Sequence, residues 1–251
     1  MRRLATLLAL LALLPAGRAL AAEVRVLTTG AFKPVVTELV PAFERATGHR
    51  VVVANDTAGA VARRVEAGEA FDLLVLTPAA LDAFAGAGRV AGPPTRLARV
   101  GVGIAVKRGA PQPDIATPEA FRAAVLAAPS VAYIDPAAGG SSGVYLDGLF
   151  GRLGIAEAVR AKAVLVPGGL VAERVERGEA VLAIHQISEI LAVPGADLVG
   201  PLPAAIQNYT TYAGAVGTAA REPEAARAFL AALTGEAARD ALARKGMEAP
   251  R

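Results

Sequence analysis

Four short turns carry the residues with the plainest chemical potential. They read Thr28-Thr29-Gly30-Ala31, Asn55-Asp56-Thr57-Ala58-Gly59-Ala60, Gly139-Gly140-Ser141-Ser142-Gly143 and Pro167-Gly168-Gly169. Each follows a short apolar run and precedes a helical stretch. Glycine lets backbone N–H groups approach a ligand closely, and the first turn of a helix offers unpaired donors at the positive end of its dipole. Any one of these turns is equally an ordinary N-cap or tight turn. Four converging together would surround a small anion with donors and no countercharge. The candidate ligand-binding residues are therefore Thr29, Gly30, Ala31, Thr57, Ala58, Gly59, Ser141, Ser142, Gly143, Gly168 and Gly169. His185 and Gln186, at the end of a later strand, join them as side-chain donors.

Other chemistries fit less well. Gly139 to Gly143 satisfies G-x-S-x-G, and His185 follows with acids such as Asp147 between, which raises an esterase. A nucleophile elbow needs its serine directly between strand and helix, and here Asp135-Pro136-Ala137-Ala138 intervenes. No catalytic residue is assigned, and the chain is expected not to be an enzyme. The sequence has no Cys and two histidines, His49 and His185, too few ligands for a typical zinc site. No phosphate-cradling G-x-x-x-x-G-K-[ST] occurs. Neither a metal nor a cofactor is expected.

Charge and composition narrow the partner. The chain carries 26 basic and 23 acidic residues, but residues 1–21 hold Arg2, Arg3 and Arg18 and no acid, which leaves 23 against 23. A neutral remainder gives nucleic acid no electrostatic foothold. Aromatic residues make up 4% with no Trp, which disfavours a large carbohydrate that would need stacking faces. Residues 1–21 themselves have the layout of a secretory signal: a basic start, an apolar run from Leu4 to Leu14, and Ala19-Leu20-Ala21 as a small-x-small cleavage site. The periplasm is the compartment this implies.

The elements that must position the turns alternate regularly. Strands are read at Val24–Leu27, Val51–Val53, Leu73–Leu76, Val100–Val106, Val131–Ile134, Ala163–Val166, Val181–Ile184 and Thr210–Val216. Helices fill the gaps, with Thr77-Pro78 and Thr117-Pro118-Glu119 as N-cap-and-Pro starts and a helix over about Leu170–Arg177. Single helices between strands imply a mainly parallel sheet covered on both faces. The fold class is α/β in two lobes, each a mainly parallel sheet flanked by helices, with a ligand cleft between them. One lobe takes residues 22–98 plus 210–251, the other 99–209, with hinge crossings near 98–103 and 203–211. Pro93-Pro94, Pro111 to Pro113 and Pro201 to Pro203 read as breaks.

Several longer pieces carry a family resemblance across nearly the whole exported part. They are the Thr28-Thr29-Gly30-Ala31 opening, Phe43-Glu44-Arg45-Ala46-Thr47-Gly48, Ala62 to Gly68, Phe71-Asp72-Leu73-Leu74-Val75-Leu76, Ala132-Tyr133-Ile134-Asp135-Pro136 and Val175 to Ala180. In that order they resemble the molybdate-binding-type receptors of ABC importers, in the type II periplasmic binding-protein group. The resemblance implies a monomeric receptor that hands a small anion, nearest to molybdate or tungstate, to a membrane permease. It implies further that turn hydroxyls and amides hold a tetrahedral oxyanion, helped by a tyrosine of the second lobe. The matching positions here are Ala31, Gly59, Ser142, Gly168 and Gln186, so two hydroxyls and the phenol are absent there. Thr29, Thr57 and Ser141 stand beside them as substitutes. The altered site also suits a small organic carboxylate, oriented by Gln186 and His185.

Overall fold

Runs of Val, Leu and Ile become strands, and the Ala-rich stretches between Gly and Pro become helices, in a computed structural model that describes residues 21–250. Apart from Ala21, the leader expected over residues 1–21 lies outside the described residues. The first half runs β1 (Glu23–Thr29), α1 (Lys33–Thr47), β2 (Arg50–Asp56), α2 (Ala58–Glu66), β3 (Leu73–Leu76), α3 (Pro78–Gly86) and the long β4 (Val90–Lys107). Next come α4 (Pro118–Ala127), β5 (Val131–Ile134), a 3-10 turn (Pro136–Ala138), α5 (Ser141–Arg152), α6 (Ala156–Arg160) and β6 (Ala163–Val166). Then follow α7 (Glu173–Glu176), β7 (Leu182–Gln186), α8 (Ile187–Ile190) and β8 (Ala196–Pro201). A second 3-10 turn (Ala204–Ile206), β9 (Tyr209–Gly217), α9 (Pro223–Ala232) and α10 (Glu236–Arg244) complete the chain.

The strands pair in the order β2-β1-β3-β9-β4-β7-β5-β6, with β8 also on β4. Within each half three strands are parallel, β2-β1-β3 and β6-β5-β7, and the rest antiparallel. β3 and β5 are buried along their whole length, as strands covered on both faces must be. Separate cores fill the two halves. Phe32, Val35, Leu73 and Phe229 anchor one, and Phe121, Leu146, Leu149 and Phe150 anchor the other.

β4 joins the halves. Its residues up to Gly101 pair with β9, and from Val102 onward they pair with β7 and β8. At the change of partner the Gln207 side chain mimics a strand: its Oε1 accepts from the Val102 N–H at 2.9 Å, and its Nε2 donates to the Val102 carbonyl at 3.0 Å. Pro93-Pro94, expected to be a break, instead lies within β4. The register shifts between Ala91 and Thr95, so the ladder there needs no N–H from either proline.

Three further expectations are corrected. The helix read over 170–177 is one turn, Glu173–Glu176. β8 was not read at all; Ala196–Pro201 is part exposed and rich in turn-forming residues. The strand read as Val181–Ile184 runs on through His185 and Gln186, which places both side chains at the inner end of the second sheet.

Candidate functional site

The strand ends and helix starts of the two halves meet at one cavity of about 40 Å³. That is room for about three water molecules. Thr29, Gly30 and Ala31 reach it from the end of β1, and Thr57 and Ala58 from the start of α2. From the other half come Ser141 and Ser142 at the start of α5, Gly169 after β6, and His185 and Gln186 at the end of β7.

The remaining candidates do not line it. Gly143 packs in the first turn of α5, where a Cβ would lie 2.3 Å from the Ile134 carbonyl oxygen. Gly168 stands beside Asp56. Gly59 bridges the halves, its N–H donating to the Gly139 carbonyl at 3.0 Å. Beside it, the Thr57 hydroxyl donates to the Ala138 carbonyl at 2.7 Å while accepting from the Ala60 N–H. Its only hydrogen is thereby committed, which removes it as a donor to a ligand. Ser188 closes the other side by donating to the Ala31 carbonyl at 2.8 Å.

Three further residues with chemical weight line the cavity: Asp56 from the second donor-rich turn, Tyr212 from the segment 208–212, which by sequence could equally line the cleft or pack a hinge, and Glu189, which sequence reasoning missed. Two of the three are carboxyl groups, and no Lys or Arg stands in the cavity wall beside them. Tyr212 brings a phenol from β9. Burial and the nearby Glu189 raise its pKa further above the phenol range, while hydrogen bonds with Thr29 and Thr210 act against the rise. It is therefore a permanent O–H.

His185 and Glu189 are the centre of the site. They sit four residues apart across the β7–α8 junction, both buried, with Nε2 and Oε2 3.2 Å apart. That spacing was a usable signal, because a short helix following a strand end can return i+4 to the same cavity. Burial pushes the Glu189 carboxyl up to about 8 and the His185 imidazole down to about 3. Either as acid and neutral imidazole or as carboxylate and imidazolium, the pair holds one mobile proton and no net charge. His185 Nδ1 and Gln186 Oε1 are buried without partners. Leaving such atoms unpaired costs about 1–3 kcal/mol each, and both belong to residues of the cavity wall.

Proton counting gives a pH signature. Unfolded, Glu and His titrate at 4.5 and 6.5, so between these values the unfolded pair also holds one proton and stability is flat. Above pH 6.5 the unfolded pair has lost its proton while the folded pair keeps one to about 8, so stability falls as pH rises. Below 4.5 the unfolded pair binds a second proton, which the folded pair refuses down to about 3, so stability falls as pH drops. Urea midpoints measured from pH 3 to 9 are expected to show this plateau, and Glu189→Gln to lose the alkaline fall.

His185's ion-pair partner is Glu189 and not a serine, and Ser141 opens a helix preceded by the 3-10 turn, so no nucleophile elbow forms. Among the described residues there is no group of acids, His or Cys able to hold a metal.

The comparisons with known proteins agree on the fold and differ on the ligand. A curated relative, an aconitate isomerase from a Pseudomonas species, is 38% identical over 234 residues, covering 89% of this chain and 86% of that protein. The periplasmic molybdate-binding protein of Azotobacter vinelandii superposes with a TM-score of 0.75 at 17% identity, over 91% of this chain and all of that one. The sulfate-binding protein SubI of Mycobacterium tuberculosis gives 0.70 at 16%, over 91% and 87%. At such identities the structures establish the two-lobe type II periplasmic binding-protein fold and leave the ligand open. The model of the bacterial extracellular solute-binding proteins matches residues 24–248, and the chain belongs to that family.

Proposed function

We propose that this protein acts in the periplasm, where its cleft binds a small unsaturated polycarboxylate and isomerises it by moving a proton. The carrying observation is the buried His185–Glu189 pair in the cavity wall. An oxyanion receptor needs only fixed donors around its ligand and has no use for a mobile proton there. A general acid–base catalyst needs such a proton, here held by a carboxyl group that burial moves up to about 8. This reading departs from the expectation that the chain is not an enzyme, with which the solute-binding family agrees, and takes its support from the relative named as an aconitate isomerase.

Aconitate carries a CH₂ flanked by a carboxylate and by the double bond. In the fraction of molecules that has lost its own proton, a fraction that grows toward pH 8, the pair would remove a proton from that carbon, leaving a delocalised carbanion, and return one to the far end of the allylic system. One C–H bond breaks and another forms, the double bond shifts, and the formula is unchanged. Amides at the starts of α2 and α5, with the Ser141, Ser142 and Tyr212 hydroxyls, would hold carboxylate oxygens and the developing negative charge.

Proton NMR of residues 22–251 with trans-aconitate tests the proposal. Appearance of the cis isomer is expected, with solvent deuterium entering the CH₂ in D₂O. Neither change over hours at micromolar protein would end this reading. A second reading, a monomeric receptor that passes a molybdate-type oxyanion to a permease, is favoured by the small size of the cavity and its hydroxyl and amide donors. Strong thermal stabilisation by molybdate and none by aconitate would select it; saturation at a hundredfold excess over Kd adds about 2.7 kcal/mol.

A further inference from the structure

The inner cavity has no Lys or Arg in its wall, yet it contains Asp56 and Glu189. A ligand with several carboxylates cannot place all its charge there, because an uncompensated buried anion is costly. A second cavity of about 280 Å³ adjoins the first and shares Gly30, Asn55, Gly169 and Glu189 with it. Gly30 and Gly169 have no side chains, so the two spaces meet past bare backbone, with the Glu189 carboxyl at the partition. A Cβ on Gly30 would fall 2.4 Å from Glu189 Oε1, which shows how closely the carboxyl fills that wall.

The outer cavity contains the cation that the inner one lacks. Lys33, the first residue of α1, lines it, is exposed, and has no salt-bridge partner among the described residues. Asn55 lines both spaces.

We infer that Lys33 is the specificity-determining residue of an outer carboxylate subsite, so that the ligand is a di- or tricarboxylate reaching from the inner cavity past Glu189 to the Lys33 ammonium. The inference rests on the proposed polycarboxylate function and deepens it. One carboxylate lies against the inner amides and hydroxyls, and the carbon bearing the mobile hydrogen is held beside His185 and Glu189. A second carboxylate pairs with Lys33. A monocarboxylate would occupy only the inner cavity and gain nothing from Lys33.

Calorimetric titration with propane-1,2,3-tricarboxylate, which lacks the double bond and cannot turn over, separates the possibilities. Crotonate serves as the one-carboxylate comparison, with Lys33→Gln and Lys33→Arg as variants. Lys33→Gln is expected to weaken the tricarboxylate about fivefold, to leave crotonate within about twofold, and to reduce the salt dependence of tricarboxylate binding. Lys33→Arg is expected to keep most of the affinity. The side chain is exposed, so the fold should be unaffected, and circular dichroism checks this. Tight tricarboxylate binding that survives Lys33→Gln unchanged overturns the outer subsite and leaves the proposed function standing. Equal affinity of the native chain for crotonate and the tricarboxylate also overturns it. Failure of the native chain to bind any carboxylate overturns both.

Discussion

Glu189→Gln is expected to lower kcat for aconitate isomerisation by at least about a hundredfold while changing KM little. Glutamine has nearly the same shape and keeps the packing of α8 against Ala31, where Ser188 is anchored. What it removes is the exchangeable proton 3.2 Å from His185 Nε2. Positioned acid–base groups contribute about 10² to 10⁴ in rate, and in the proposed reaction one pair would perform both removal and return. His185→Gln is expected to cost a similar factor, and the double variant no more than the worse single one, because the two act as a unit. Rates from the growth of the cis signal, and deuterium uptake followed separately, measure this. Turnover within threefold of the parent in Glu189→Gln would remove the pair from the mechanism.

The second large effect concerns closure. At Gly59 and Gly139 the two lobes touch backbone to backbone, and a Cβ on Gly59 would meet the Gly139 Cα at 2.9 Å and its carbonyl oxygen at 3.1 Å. Neither atom belongs to a side chain that can swing aside, so Gly59→Ala can be accommodated only by parting the lobes. Parting them breaks the Gly59–Gly139 bond and the Thr57–Ala138 bond beside it. Two such bonds are worth about 1–3 kcal/mol together, so ligand affinity should fall about tenfold to hundredfold. The unliganded protein should keep its stability, since Gly59 lies in the first turn of α2 and alanine is the better helix former. A loss of affinity with an unchanged urea midpoint is the expected pair of results. Unchanged affinity would mean that the ligand is held without this contact. Substitution of Gly139 is a poorer test, because its φ of +74° strains any side chain whatever the state of the cleft.

These two sites differ in how far the amino-acid order announces them. The turn at Gly139 to Gly143 is visible as glycine and serine ahead of an apolar helix, and its placement at a strand-to-helix junction follows from the alternation around it. Leu73–Leu76 and Val131–Ile134 are apolar at every position because both faces are covered, and Thr117-Pro118 starts α4 with its hydroxyl accepting from the Ala120 N–H. Such signals act within a few residues, so composition and spacing alone give the α/β class, the strands and the donor-rich turns.

Contacts across large sequence separations are not encoded that way. Pro93-Pro94 looks like a break locally, yet β9, more than a hundred residues later, draws that segment into a ladder with a shifted register. Tyr212 reads equally as cleft lining or as hinge packing until β9 is laid beside β3 and β4, which brings it to the cavity wall. Glu189 is one acid among many along the chain. Only the burial of β7 and α8 between two lobes strips water from it and His185, and desolvation then sets their protonation. Local propensity thus wrote the elements and the donors, while the long-range closure of the two sheets made the acid–base pair, because a proton's affinity depends on the surroundings that folding brings together.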